Sequence, residues 1–146
     1  MKKNVLLLMV AALITTTLFY SCKKDDNNAT QSRKDLIIGT WNVNAYGVDD
    51  NMDGTLEVSE YDTIPPGVAL IQTYRADGTG VFTTQSPGTS PKSTNITYSL
   101  INGDQTLHIV TEDNQVTDAT ITEMTEHRLQ GYDVTSNPRI VFLLTK

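Results

Sequence analysis

The sequence predicts an all-β chain whose antiparallel strands close into an eight-stranded up-and-down barrel. Three observations predict it. Apolar and polar residues alternate over short segments, clusters of turn-forming residues separate those segments, and no window carries an apolar stripe at i, i+3, i+4 and i+7. Period-two patterning with abundant Val, Ile, Thr and Tyr is the mark of a pleated strand with one buried face. Strands joined by short turns pair as a meander, and closure of the sheet removes its exposed edges.

The first strand is expected over about 39–47, where Trp41, Val43 and Ala45 alternate with Thr40, Asn42 and Asn44. Strands over 67–75 and 80–86 flank the turn Ala76–Gly80, and Ser86–Pro91 leads to a fourth over 94–101. There Ile96, Tyr98 and Leu100 oppose Thr97 and Ser99. The turns Ile101–Gln105 and Glu112–Gln115 bound a fifth strand over 105–111, with Leu107 and Ile109 opposite His108. Strands over 116–123, 127–135 and 139–145 complete the set, the last two separated by Ser136–Pro138. In the last strand Ile140, Phe142 and Leu144 make one face; Val141 and Leu143 are apolar as well, so its outer face should be covered or lie at an interface. Trp41, Tyr74, Phe82, Tyr98 and Phe142 are expected inward. Eight strands enclose a space that side chains fill or that one small ligand occupies, and the pattern alone leaves both open.

The first residues have a different logic. Lys2 and Lys3 precede a largely apolar run from Val5 to about Tyr20, interrupted by Thr15, Thr16 and Thr17. A membrane span needs about 20 predominantly apolar residues, so a cleaved signal segment over 1–21 is the better reading. Cys22 is the single cysteine of the chain and has no partner for an internal disulfide. The segment "KKDDNNATQSRK" has mixed charge and no apolar periodicity, which reads as a solvated tether over 22–34 before a domain over 35–146. Without Lys2 and Lys3, nine bases remain against seventeen acids, a net charge of −8. That balance disfavours nucleic acid and anionic bilayer surfaces, and no basic patch interleaved with aromatics offsets it.

The stretch "DDNMDGTLEVSE", Asp49 to Glu60, gathers like charge where the chain should only turn. It fits the twelve-residue pattern D-x-[DN]-x-[DN]-G-x5-E without a gap. Asp49, Asn51 and Asp53 take positions 1, 3 and 5, with Gly54 at the sharp turn. Thr55 would lend its carbonyl, Glu57 would act directly or through water, and Glu60 would reach back from position 12. A hard cation wants six to eight oxygens, so Ca²⁺ as a structural cofactor is the expected occupant; the alternative is a solvated acidic loop. A strand precedes the loop and Pro65–Pro66 follow it, so no helix pair exists to work as a sensor.

Catalytic patterns are missing. His108 and His127 are the only histidines, no zinc spacing occurs, and no serine sits in a Gly-x-Ser-x-Gly elbow. A non-enzyme is expected.

Several pieces together resemble a known family. "LIIGTWNV" looks like the Gly-x-Trp opening of lipocalins, with Gly39 and Trp41 at the matching positions. "YRADGTGVF", "ITYSL", "LHIV" and "ITEMTEHRLQG" follow in the order seen in the lipocalin-like domains of Bacteroidota lipoproteins. In lipocalins a basic residue near the last strand packs on the first-strand Trp, and the resemblance gives that role to Arg139. The end of the apolar run resembles a lipobox, which implies a lipidated Cys22, palmitate included, on the outer membrane or cell surface. "DTI" resembles an O-glycosylation site with Thr63 as acceptor. The resemblance implies a binding module for a small hydrophobic molecule or an extracellular protein partner. The alternative is an adaptor component of an envelope complex with a filled barrel.

Overall fold

A computed structural model describes residues 31–146; the signal segment, Cys22 and most of the tether lie outside the described residues. All eight expected strands are present within two residues of their expected ends. They are β1 (Gly39–Val48), β3 (Ala69–Tyr74), β4 (Thr79–Gln85), β5 (Lys92–Ile101), β6 (Thr106–Thr111), β7 (Val116–Met124), β8 (Arg128–Asp133) and β9 (Ile140–Thr145). Each pairs antiparallel with the next, and β9 returns to β1 through the Asn42↔Thr145 to Val48↔Ile140 register, closing the barrel. A short strand absent from the sequence reading, β2 (Tyr61–Thr63), pairs with β1 at Ala45–Gly47, beyond the point where β3 leaves it. Gly47 permits this pairing, because a Cβ there would lie 1.7 Å from the Glu60 carbonyl oxygen.

One end of the barrel is closed. Ser32 caps a single helical turn, α1 (Arg33–Ile37), by accepting the Asp35 amide at 3.2 Å. Five residues give too weak a periodicity to be read as a helix, and tertiary contacts hold this one. Ile37 is buried, and its carbonyl accepts the Trp41 indole N–H at 2.7 Å. The base packed on Trp41 is Lys146, 4.4 Å from the ring centroid, and not Arg139. The correction follows from register: Trp41 sits at the closed end, where β9 finishes, whereas Arg139 precedes β9 at the opposite rim. Lys146 Nζ also donates to the Leu36 and Ile38 carbonyls at 2.7 and 2.8 Å, so one ammonium ties helix, first strand and terminus together.

The expected alternation breaks in β7, where a β-bulge lies between Ile121 and Glu123, and in β1. A β-bulge between Val43 and Ala45 shifts the β1–β9 register, so Ala45 turns outward and Tyr46 lines the interior. Outside the wall, Ala45, Val141 and Leu56 form a second small core, with Tyr132 and Leu143 packed against it. The apolar outer face expected for β9 is thus covered, and its cover is the acidic loop itself, through Leu56.

Candidate functional site

Inward side chains divide the barrel into two halves. Toward the closed end they are solidly buried: Trp41, Tyr74, Ile96, Ile121 and Leu129 each expose 5% or less, and Leu107 and Leu144, equally buried, reach the cavity of the other half. Tyr74 and Tyr98 meet edge-on with ring centroids 4.8 Å apart, and the Tyr74 hydroxyl donates to Gln72 Oε1 at 2.5 Å. Burial pushes the Tyr74 hydroxyl far above its ordinary pKa, so it remains a donor at any physiological pH. Toward the other end, Val43, Tyr46, Leu70, Phe82, Ile109 and Phe142 are inward but only half-buried. They surround a cavity of about 250 Å³ whose walls come from β1, β3, β4, β6, β7, β8 and β9.

Gln72 and Thr117 supply neutral polar atoms to this cavity, and Asp133 is the one charged residue lining it. Asp133 Oδ1 accepts the Thr135 amide at 2.7 Å and the Thr135 hydroxyl at 2.6 Å. A larger hollow of about 520 Å³ lies against β4–β6, ringed by Arg75, Asn95, Glu112 and Asn114. Its polar ring suits water, whereas the interior cavity offers mostly apolar surface, which water solvates poorly.

The acidic loop sits at the open end and on the wall beneath it. Asp49 is fully buried, and its carboxylate organises the loop. Oδ1 accepts the Asp53 amide at 3.0 Å, and Oδ2 accepts the Gly54 amide at 2.9 Å and Arg139 Nη1 at 3.1 Å. Arg139 also donates to the Met52 carbonyl at 3.0 Å and stacks 4.3 Å over the Tyr132 ring. Asn51 Oδ1 accepts the Asp53 amide at 2.9 Å, and Asp53 Oδ1 accepts the Thr55 amide at 2.7 Å. That Thr55 amide holds the Asp53 carboxyl below its ordinary pKa. Glu60 does reach back, but onto the amides of Asp50 and Glu57, both at 3.1 Å. Gly54 has φ +76° and lies against Tyr132, where a Cβ would come within 2.7 Å of the ring. The structure therefore brings Asp49, Asn51, Asp53 and Thr55 together and links Glu57 and Glu60 separately. Among the described residues, no three Asp, Glu, His or Cys side chains converge to hold a metal ion. Thr63 is exposed at the end of β2.

One pairing could not be argued from spacing. His108 Nδ1 and Asp118 Oδ1 lie 2.6 Å apart across β6 and β7, and Ser99 faces His108 across β5 and β6. No hydrogen bond joins Ser99 to His108 among the described residues, and the surrounding amides are held in the sheet ladder. The pair is a cross-strand contact between β6 and β7.

No protein-family model and no curated protein sequence matches the chain. Its fold is similar to that of solved structures. A lipocalin-like protein from Bacteroides uniformis superposes with a TM-score of 0.55 at 11% identity, over 76% of this chain and 98% of that one. An uncharacterized protein from Bacteroides eggerthii gives 0.55 at 10% identity, over 75% and 98%. The chain thus has a lipocalin-like fold, a closed eight-stranded antiparallel barrel.

Proposed function

We propose that the protein is a binding module that takes a small hydrophobic molecule into the open half of its barrel. The observation that carries this reading is the half-filled interior: large side chains seal one end, while apolar ones at the other surround about 250 Å³. The volume is below the roughly 300–1,000 Å³ of drug-sized sites, so the ligand is compact. A filled barrel acting only as an adaptor would bury Phe82, Ile109 and Phe142 as completely as Leu129. The test is displacement of an environment-sensitive apolar fluorophore. The wild-type domain should bind it, and Ile109→Trp, which fills the cavity, should lose most of that binding at an unchanged far-UV spectrum. Equal binding by the variant would place the probe elsewhere and remove the reading.

The wider setting belongs to the same proposal. A lipid on Cys22 anchors the chain at the outer membrane or cell surface; the n-region, the apolar run and the solvated tether of mixed charge support this. Labelling with a radioactive fatty acid should mark the full chain, and Cys22→Ser should lose the label. Thr63, exposed, is proposed as a glycan acceptor on the strength of its sequence context. For the acidic loop, the twelve-residue spacing and the positive φ of Gly54 support structural calcium. The Arg139–Asp49 pair and the amides on Glu60 support a loop that closes without it. Melting the soluble domain in millimolar calcium and in chelator separates the two: calcium should raise the midpoint, and equal midpoints leave the arginine as counter-charge.

A further inference from the structure

The charges of the described chain are distributed unevenly between the two ends of the barrel. At the open end, the acidic loop and β2 bring Asp49, Asp50, Asp53, Glu57, Glu60 and Asp62. The β6–β7 turn adds Glu112 and Asp113, and β8 ends on Asp133. The segments of this end carry two bases against these nine acids, Lys92 and Arg139, for a net charge of −7, and Glu112 also shares the outer hollow against β4–β6 with Arg75. Arg139 is already committed to Asp49, Met52 and Tyr132. At the closed end, Arg33, Lys34, Arg75, Arg128 and Lys146 balance Asp35, Asp77, Asp104, Glu123 and Glu126, for a net charge of zero. Of the two ends, the mouth is the one with a net charge.

We propose that this barrel selects compact cationic amphiphiles, an apolar body carrying an amine, over carboxylic acids of the same size. The inference rests on the cavity reading given above and adds the sign of the ligand's charge. A rim of one sign around a low-dielectric hollow concentrates counter-ions and repels like charge. Inside the mouth, Asp133 supplies the terminal contact: Oδ1 is held by Thr135, and Oδ2 accepts no hydrogen bond among the described residues. An ammonium there would gain a charge-assisted hydrogen bond. A carboxylate would face Asp133 with no unpaired base among the cavity's lining residues, an arrangement that costs both charges.

Octylamine, octanol and octanoate share one apolar body and differ in the head group. Isothermal titration of the three into the domain at neutral pH and low salt should rank amine over alcohol over acid. The amine should bind about tenfold tighter than the acid, and that ratio should shrink as salt screens the rim. Asp133→Asn, which preserves the acceptor for Thr135, should narrow the ratio, and Ile109→Trp should remove amine binding. Octanoate binding as tightly as octylamine overturns the charge inference while leaving the cavity reading intact. Amine binding that survives in Ile109→Trp puts the amine on the rim outside the cavity and overturns it too. Failure of all three ligands removes the cavity reading and the inference with it.

Discussion

Truncation of Trp41 to alanine should cost about 3–5 kcal/mol, the range for removing a large aromatic from a packed core. Three separate supports meet at this side chain. The ring is fully buried in the main core, its N–H donates to the Ile37 carbonyl, and the Lys146 ammonium lies over its face. Alanine leaves a cavity at the sealed end, orphans the carbonyl that anchors α1, and removes the surface on which Lys146 rests. Urea denaturation of the wild type, Trp41→Ala and Trp41→Phe checks this. Phenylalanine should recover most of the loss, since it restores the packing and forfeits only the indole hydrogen bond. If alanine costs under 1 kcal/mol, the closed end is not held as described.

Replacement of Asp49 by alanine should be the most damaging change in the acidic loop, at about 3 kcal/mol. Its carboxylate is wholly buried and is the shared acceptor for two loop amides and for Arg139, whose side chain is 27% exposed. Removal leaves a partly buried guanidinium without its counter-charge and releases the loop from its anchor, so Leu56 loses its seat on Ala45 and Val141. By contrast, Asp50→Ala at an exposed position should fall within about 0.5 kcal/mol of wild type. A double-mutant cycle with Arg139→Met isolates the pair, and a coupling indistinguishable from zero would show that Arg139 does not hold Asp49. The calcium reading adds one condition: any stabilisation by calcium should vanish in Asp49→Ala and in Asp53→Ala.

These predictions mark where the sequence was informative and where it was not. Alternation at Ile96–Leu100 or Ile140–Leu144 announces a strand because the pleat puts successive side chains on opposite faces. It cannot announce a bulge. Asn44 is an ordinary polar residue in an alternating run, yet the extra residue there turns Ala45 outward and Tyr46 inward. The basic partner of Trp41 turns on the same kind of information. Arg139 and Lys146 flank the last strand on opposite sides, and only the register of β9 against β1 puts Lys146 at the Trp41 end. β2 was hidden because its three residues carry no period, and its pairing depends on the contact at Gly47.

The acidic loop was visible as a cluster of charge, and its geometry was not. The motif spacing was written in terms of side chains meeting a cation, whereas Asp49, Asp53 and Glu60 are met by amides. Leu56, at a position that the pattern leaves unspecified, is the residue that docks the loop. The hollow was also beyond the sequence: Phe82 and Phe142 point inward as expected, but whether they fill the barrel depends on volumes that alternation does not encode.

The central claim is that the open half of the barrel admits a small apolar molecule. Methyl-resolved NMR of the isolated domain titrated with octanol addresses it directly. The methyl groups of Leu70, Ile109, Ile140 and Leu144 should shift together along one saturating curve, while Ile121, at the packed end, stays in place. Shifts confined to outward methyls such as Val81, with the cavity set unmoved at saturation, would contradict it.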